Sequence, residues 1–548
     1  MSKPQKIMVT SALPYGNGPL HLGHMVEHIM TDIWVRTQRL LGHECVSLCG
    51  DDAHGTPIML KAQQLGITPE ELTRNIQIGH EADLKSFSVD YDVYHTTHSK
   101  ENAALVAEIY QRLKSNGDIL EKSISQAYDA KANMFLPDRY IKGTCPRCHT
   151  DDQYGDNCEK CGATYNTNEL LNPVSTVTGT TPEYRDTIHF FFNLPEYADF
   201  LQQWAKNGHV PVEMAHKLEE WFDVGLKPWD ISRDAPYFGF LIPGETEKYF
   251  YVWLDAPIGY MAACQKYCDQ KGLNIDDFWG IDSPYELYHI VGKDIMYFHA
   301  LFWPALLKSS GFRLPNAIFT HGFLTVNGQK MSKSRGTFIQ ARQFSAHFPT
   351  DALRYYFAVK MNGGLEDLDL NSDDFIVRIN SDLIGKLVNI ASRSAGFIHK
   401  FFSGQLSTTL TDLDVYQQWS GEAKDIIQAY QQRDNARAIR MIMFIADKIN
   451  QYVDAKKPWL MVKDEALLPE VQGVCTMALN GFRLLMIFLQ PVLPMMSIQV
   501  KQFFQETDWS LQHLQPLLNQ QISNYEPLMT RLQHEQWQQM LSTAEVSA

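Results

Sequence analysis

His21 and His24 stand three residues apart in Pro14-Tyr15-Gly16-Asn17-Gly18-Pro19-Leu20-His21-Leu22-Gly23-His24, and a distant stretch reads Lys330-Met331-Ser332-Lys333-Ser334. Two imidazoles one helical turn apart can donate to the same ligand, and ammonium groups on a serine-containing loop are point charges suited to phosphate oxygens. The apolar run Ile7 to Leu13 precedes the first stretch and a helical pattern from about Leu22 to Leu41 follows, which predicts a strand-to-helix turn. Its glycines permit a sharp bend and close approach of a flat ring. The unpaired N–H groups and positive dipole end of the new helix are expected to face a phosphate. Taken singly, the first stretch also reads as a helix start with incidental histidines, and the second as a solvated loop. Together they point to a nucleoside triphosphate.

Two further sets of residues carry chemistry. Cys145-Pro146-Arg147-Cys148, then nine residues, then Cys158-Glu159-Lys160-Cys161 supplies four thiolates at the spacing of a tetrahedral Zn²⁺ knuckle. All four positions being sulfur predicts a structural ion with no open coordination site; two disulfides are the alternative, and His149 stands beside the set. Asp52, in Asp51-Asp52-Ala53-His54-Gly55, follows the predicted strand Glu44 to Gly50, where doubly wound sheets bind ligands. A carboxylate there can pair with an ammonium group or cap the next helix.

Strand and helix patterns alternate from Lys6 to about Ser115, stop between about Asn116 and Ile231, and resume at Tyr249–Tyr260 and at a strand, Leu287 to Gly292. Gly292-Lys293-Asp294 is a second glycine turn opening a helix, on which Ile295, Phe298, His299, Phe302 and Leu306 form one apolar face. Such a stripe is ordinarily core, His299 included. Thr350 to Met361 reads as helix, and from Ser381 onward the pattern is all-helical. There Leu383, Ile384, Leu387, Val388 and Ala391 form a buried stripe that leaves Lys386, Asn389 and Arg393 on another face. A later helix stops at Lys456-Lys457-Pro458-Trp459, which sets an indole beside two cations; it reads either as a stacking platform or as a plug between helices. The glutamine-rich tail beyond about Gln512 is helical in tendency.

The predicted fold class is α/β: a doubly wound parallel-sheet catalytic domain of Rossmann type, split by a zinc-knuckle insert and followed by an all-α helical bundle. The expected divisions are residues 1–115 and 232–325 for the two halves of the catalytic domain, 116–231 for the insert, 326–385 for the lysine loop and its surroundings, and 386–548 for the bundle. At 548 residues several cores are required. The expectation is that no apolar run reaches bilayer-spanning length, Leu484 to Met496 being short and broken by Gln490, Pro491 and Pro494, and Ile7 to Leu13 is too brief for a signal-peptide core. The expectation is a cytoplasmic protein whose nine cysteines are thiols or metal ligands, with no membrane partner. A net charge of −15 argues against nucleic acid unless cations cluster locally. Two stretches do cluster them: Arg378, Lys386, Arg393 and Lys400, then Arg433, Arg437, Arg440, Lys448, Lys456 and Lys457. These are either a basic face or ordinary solvated helix surfaces.

On His21-Leu22-Gly23-His24 and Lys330-Met331-Ser332-Lys333-Ser334 the chain resembles the class I aminoacyl-tRNA synthetases, and among them the methionine-specific branch, over essentially its whole length. Leu22 in place of isoleucine is the one departure in these signatures, apolar for apolar. The resemblance implies adenylation of L-methionine by ATP with Mg²⁺, then transfer to tRNA(Met), initiator tRNA included. It implies His21, His24, Lys330 and Lys333 in catalysis. ATP contacts would come from Tyr15, Gly16, Asn17, Gly18, His21, Gly23, His24, Glu27, Gly292, Asp294, His321, Lys330 and Lys333. Methionine would lie among Ala12, Leu13, Tyr15, Asp52, Trp253, Ala256, Pro257, Tyr260, Ile295 and His299, with Asp52 on its ammonium group. Asn389, Arg393 and Trp459 would read the anticodon, and Cys145, Cys148, Cys158 and Cys161 would hold one Zn²⁺. The barrel-like C-terminal module of some members is not seen, so a monomer is expected. A nucleotidylyltransferase without tRNA, or a scaffold that has lost catalysis, would lack either the bundle or the signature cations.

Overall fold

The computed structural model describes residues 4–155, 157–163, 165, 167–331 and 337–544. Five parallel strands form the central sheet: β1 (Lys6–Ser11), β2 (Glu44–Asp51), β3 (Val93–Thr96), β4 (Tyr285–Gly292) and β5 (Ala317–His321), in the order β5-β4-β1-β2-β3. The chain builds outward from β1 through β3, leaves the sheet, and returns on the other side of β1. The strand order therefore reverses between β1 and β4, and a crevice opens beyond their carboxyl ends. Side chains alternate across the pleat and both faces are covered. Ile7 and Val9 pack with Met25, Val26 and Ile29 of helix α1 (Leu22–Leu40), while Met8, Val46 and Leu48 pack with Leu254, Ile258 and Met261 of helix α2 (Val252–Lys271).

The chain that leaves the sheet builds a long antiparallel pair, Ile119–Asp129 against Glu183–Phe192, and a small three-stranded sheet, 141–144, 153–154 and 171–175, that carries the cysteines. After β5, a short hairpin pairs Leu324–Val326 with Gln329–Lys330 across the Asn327-Gly328 turn. Helix α3 (Thr350–Lys360) follows, then the bundle, in which α4 (Asn389–Phe402), α5 (Asn435–Lys456) and α6 (Leu468–Leu489) are the long members. Arg354 of α3, fully buried, ties these parts together. Its guanidinium donates to Asp32 of α1 at 2.6 Å, to the Phe87 carbonyl at 3.1 Å, and to the carbonyls of Pro491 and Val492 at 2.8 and 2.9 Å.

Two expectations need correction. Glu465–Leu489 is long and apolar enough, by length and composition, to cross a bilayer, but it is the buried centre of the bundle. Its apolarity serves packing on all sides. The tail beyond Gln512 is helical only at His534–Ala544. Pro516 and Pro527 interrupt the rest, which runs as a strap bonded to the turn after α4 through Asn519 N–H to the Ser407 carbonyl and Ile522 N–H to that of Gly404, both 2.9 Å.

Candidate active site

Helix α1 begins at His21, and the two histidines cap each other. His21 Nδ1 accepts from the N–H groups of Gly23 at 3.1 Å and His24 at 3.3 Å, and His24 Nδ1 accepts from the His21 N–H at 3.2 Å. This is a capping box built from imidazoles. Because both Nδ1 atoms accept, both rings are neutral and carry their proton on Nε2. Burial supports that state: it lowers the His21 pKa to about 4, and it lowers that of His24 well below the usual imidazole value, aided by His21, His28 and His80. The rings stack with centroids 3.7 Å apart, so their N–H donors face one region.

The expectation of free helix N–H groups is corrected by the same bonds. Leu22 N–H is taken by the Ile339 carbonyl at 3.0 Å, and those of Gly23 and His24 by His21. The side-chain N–H groups, not the backbone, remain for an anion. Gly23 is required by space, since a Cβ there would lie 2.6 Å from the Met331 methyl and 2.8 Å from the His21 ring.

Lys330 and Met331, the described residues of the second signature, and the segment from Phe338 come to the same place. Residues 339–341 run antiparallel to 20–22, with Ala341 N–H on the Leu20 carbonyl at 2.9 Å, and Phe338 sets its edge against His21 at 5.1 Å. A cavity of about 490 Å³ is lined by Ala12, Leu13, Tyr15, His21, Gly23, His24, Glu27, Gly292, Asp294, Ile295, His321 and Lys330, and also by Met331 and Phe338. That volume suits a small-molecule ligand. Lys330 is exposed at its rim, while Lys333 lies outside the described residues. Glu27, at its floor, accepts from Ser11 Oγ at 2.7 Å and meets His321 Nε2 at 3.3 Å. Burial depresses His321, but the Glu27 carboxylate outweighs it and the net shift is upward. Gly16, Asn17 and Gly18 form the turn above, where Gly16 N–H is spent on the Asp52 carbonyl at 2.7 Å.

Beyond Leu13 and Ile295, which line both spaces, lies a smaller cavity of about 90 Å³. Asp52, Trp253, Ala256, Pro257, Tyr260 and His299 line it, together with Val252 and Phe298. Those last two were not singled out as ligands from the sequence; Phe298 was visible only as a member of an apolar stripe. His299 Nδ1 donates to the Ile295 carbonyl at 3.0 Å, so its Nε2 accepts the Tyr260 hydroxyl at 2.8 Å. Burial lowers the His299 pKa to about 4, in keeping with a neutral ring. The Tyr260 proton and the His299 proton are thus both spent inside the wall, which leaves the pocket apolar in character. Ala12 and Tyr15 stand at the larger cavity instead.

Asp52 is electrostatically unfinished, as are its buried neighbours Asp51 and Asp255, and of the three only Asp52 lines this cavity. Its Oδ1 is buried without a hydrogen-bond partner. Burial raises its pKa well above the usual carboxylate range, and the neighbouring Asp255 and Asp51 raise it further. A cation of small size is what such an oxygen lacks.

In the insert, Cys145, Cys148, Cys158 and Cys161 bring their sulfurs within 4.8 Å of one another. Cys145 and Cys161 are 3.9 Å apart and Cys148 and Cys158 3.5 Å, against about 3.8 Å for sulfurs around a tetrahedral Zn²⁺ at ~2.3 Å. The N–H groups of Cys148 and Cys161 point at the Cys145 and Cys158 sulfurs, each at 3.4 Å, as thiolates require. None of the nine cysteines forms a disulfide, so the disulfide alternative fails, and His149 is not among the grouped ligands.

In the bundle, Arg393 lies over the Trp459 ring at 4.5 Å and pairs with Asp454 at 3.1 Å; Asn389 is one helical turn before it, half-buried. Lys386 pairs with Asp447 at 3.0 Å. Both acids come from α5, so part of the positive charge visible along the sequence is neutralised across the helix pair.

The family model described as tRNA synthetases class I (M) matches residues 7–395. Among solved structures, the fold is similar to Mycobacterium tuberculosis methionyl-tRNA synthetase in complex with methionyl-adenylate, at 23% identity and a TM-score of 0.79 over 96% of this chain and 99% of that one. A second structure of that enzyme bound by methionyl-adenylate gives 22% identity and a TM-score of 0.79 over 96% and 100%. Its apo form gives 20% and 0.72 over 97% and 99%.

Proposed function

Because the chain belongs to the class I tRNA synthetases (M), we propose that it is a methionine–tRNA ligase, activating L-methionine with ATP and charging tRNA(Met). The observation that carries this reading is a pair of adjoining cavities that share Leu13 and Ile295. The larger holds the paired Nε2–H donors of His21 and His24 with Lys330 at the rim, and the smaller is an apolar pocket with the unpartnered oxygen of Asp52 in its wall.

In the proposed reaction a carboxylate oxygen of methionine attacks the α-phosphorus of ATP, the bond from that phosphorus to the α,β-bridging oxygen breaks, and pyrophosphate leaves with the bonding pair. The terminal ribose hydroxyl of tRNA then attacks the carbonyl carbon of the adenylate and AMP departs with the bonding pair. Asp52 takes the ammonium group and so aims the carboxylate toward the histidines. His21 and His24 donate to oxygens on the transferring phosphorus, where charge grows in the transition state; one such donor typically contributes about 3 to 4 kcal/mol. Lys330 and Lys333 neutralise the departing pyrophosphate, and Mg²⁺ entering with ATP supplies further charge compensation on the phosphates. Being neutral, the histidines stay donors across the physiological range.

The walls around the side-chain pocket support a thioether: Trp253 and Phe298 meet edge to face at 4.9 Å, and aromatic edges suit sulfur. Selection of this kind is steric and separates chains differing by one methylene by only about 1 to 3 kcal/mol. We assign Asn389, Arg393 and Trp459 to the anticodon and one structural Zn²⁺ to the four cysteines, which closes all four positions to chemistry. A panel of amino acids in ATP–pyrophosphate exchange tests the reading. Exchange with methionine and not isoleucine is expected; exchange driven by isoleucine alone would reject the pocket.

A further inference from the structure

The turn that leads into α1 is held from beneath by a residue that has no part in the chemistry described so far. His80, on the helix Pro69–Ser86, has a side chain only 1% exposed. Its Nδ1 lies 2.7 Å from Asp51 Oδ1, at the end of β2, and its Nε2 lies 2.7 Å from the carbonyl oxygen of Gly18. A carbonyl has no proton to give. Asp51 Oδ1 already accepts the Tyr94 hydroxyl, so it too is an acceptor. An imidazole between two acceptors at these distances must donate from both nitrogens.

We infer that His80 is a positioning residue, held as a doubly protonated imidazolium that straps the glycine turn to the end of β2 and so fixes the cradle for the nucleotide. This rests on the reading of that turn as an ATP site. The turn has few bonds of its own: Pro19 lacks an N–H, and the carbonyls of Asn17 and Gly18 are each taken by a side-chain donor, Lys61 and His80.

Charged and titratable groups face His80 from every element around it. Asp51 comes from β2 and Tyr94 from β3; Asp83 lies on its own helix, paired with Arg342 at 2.9 Å; His24 and His28 come from α1. Burial alone would deprotonate His80, but Asp51, the Gly18 carbonyl and Asp83 outweigh it and the net shift is upward. Its charge in turn disfavours protonation of His24 and His28. When the imidazolium loses a proton, Nδ1 keeps its hydrogen for the carboxylate of Asp51. Nε2 is then a lone pair facing the Gly18 oxygen, and the turn is released.

Two measurements on the full-length protein test this. In long-range ¹H–¹⁵N spectra of ¹⁵N-histidine-labelled protein at neutral pH, assigned with His80→Gln, both His80 nitrogens should resonate as protonated; a bare nitrogen overturns the inference. In methionine-dependent ATP–pyrophosphate exchange, His80→Gln should lower kcat/KM for ATP about tenfold, the loss of one charge-assisted bond. The methionine Kd from tryptophan fluorescence should stay within twofold, and the alkaline limb of the wild-type pH profile should vanish. Asp51→Asn, which removes the partner charge, should move that limb to lower pH. A limb that persists in His80→Gln, one that does not move in Asp51→Asn, or methionine binding that falls in step with ATP overturns it. Absence of any exchange in the wild type would reject the ATP reading instead, and the nitrogen spectra still decide the state of His80.

Discussion

Replacing Asp52 with asparagine should move binding and stability in opposite directions. In the free protein Asp52 Oδ1 is buried and unpaired, and burial with Asp255 and Asp51 nearby raises its pKa. A carboxyl raised above its unfolded value binds more protons folded than unfolded, so it lowers stability as pH rises from the unfolded pKa toward the folded one. At neutral pH Asp52→Asn removes that penalty, and the unliganded variant should be more stable, on the order of 1 kcal/mol for one unsatisfied buried group. Binding goes the other way. The methionine ammonium loses its charged partner, and a hydrogen bond to an ionised group contributes roughly 1.5 to 3 kcal/mol, or about ten- to a hundredfold in Kd. The ammonium requires ionised Asp52, so methionine affinity in the wild type should fall as pH drops through the raised pKa, with proton release on binding. Calorimetric titration of methionine in two buffers of different ionisation enthalpy reads both the affinity and the proton count, and urea melts read stability. A variant that binds methionine as tightly as the wild type, or whose affinity keeps the wild-type pH dependence, would refute the role of this carboxylate.

Other outcomes follow from the same geometry. Chelation should release one Zn²⁺ per chain and expose four thiols to a thiol reagent; release of none, with the cysteines unreactive, would reject the knuckle assignment. Trp459→Ala should lower tRNA charging by about 1 to 3 kcal/mol, the usual range for a stacked base, and leave pyrophosphate exchange unchanged, so equal losses in both assays would return Trp459 to a packing role. Arg354→Met should cost about 3 kcal/mol in a urea melt, the low end for a broken buried pair because Arg36 stays on Asp32 at 2.6 Å, while three carbonyls lose their donor. An unchanged midpoint would remove Arg354 as the tie between the parts.

Local spacing was enough to foresee the knuckle, since two Cys-x-x-Cys turns position their own sulfurs wherever the insert lies. It was also enough for the mouth of α1, because His21 and His24 meet through bonds spanning three residues. The parallel sheet was legible from its alternating pattern. The small cavity was not. Val252 and Phe298 enter it only because α2 and the segment after β4 face each other across the ends of the strands, and the Phe298 stripe reads as ordinary core in one dimension.

The sequence by itself determined which chemical groups were available and the short-range geometry of each motif, because a turn or a helix start is built by neighbours. Only the tertiary structure decided their states. The His299 ring accepts from Tyr260 of another helix, and His80 is charged by Asp51 and Gly18. Asp52 is left unpaired by burial among residues from distant parts of the chain. Protonation and desolvation depend on what surrounds an atom in space, and most of those surroundings are supplied by chain segments far away in sequence.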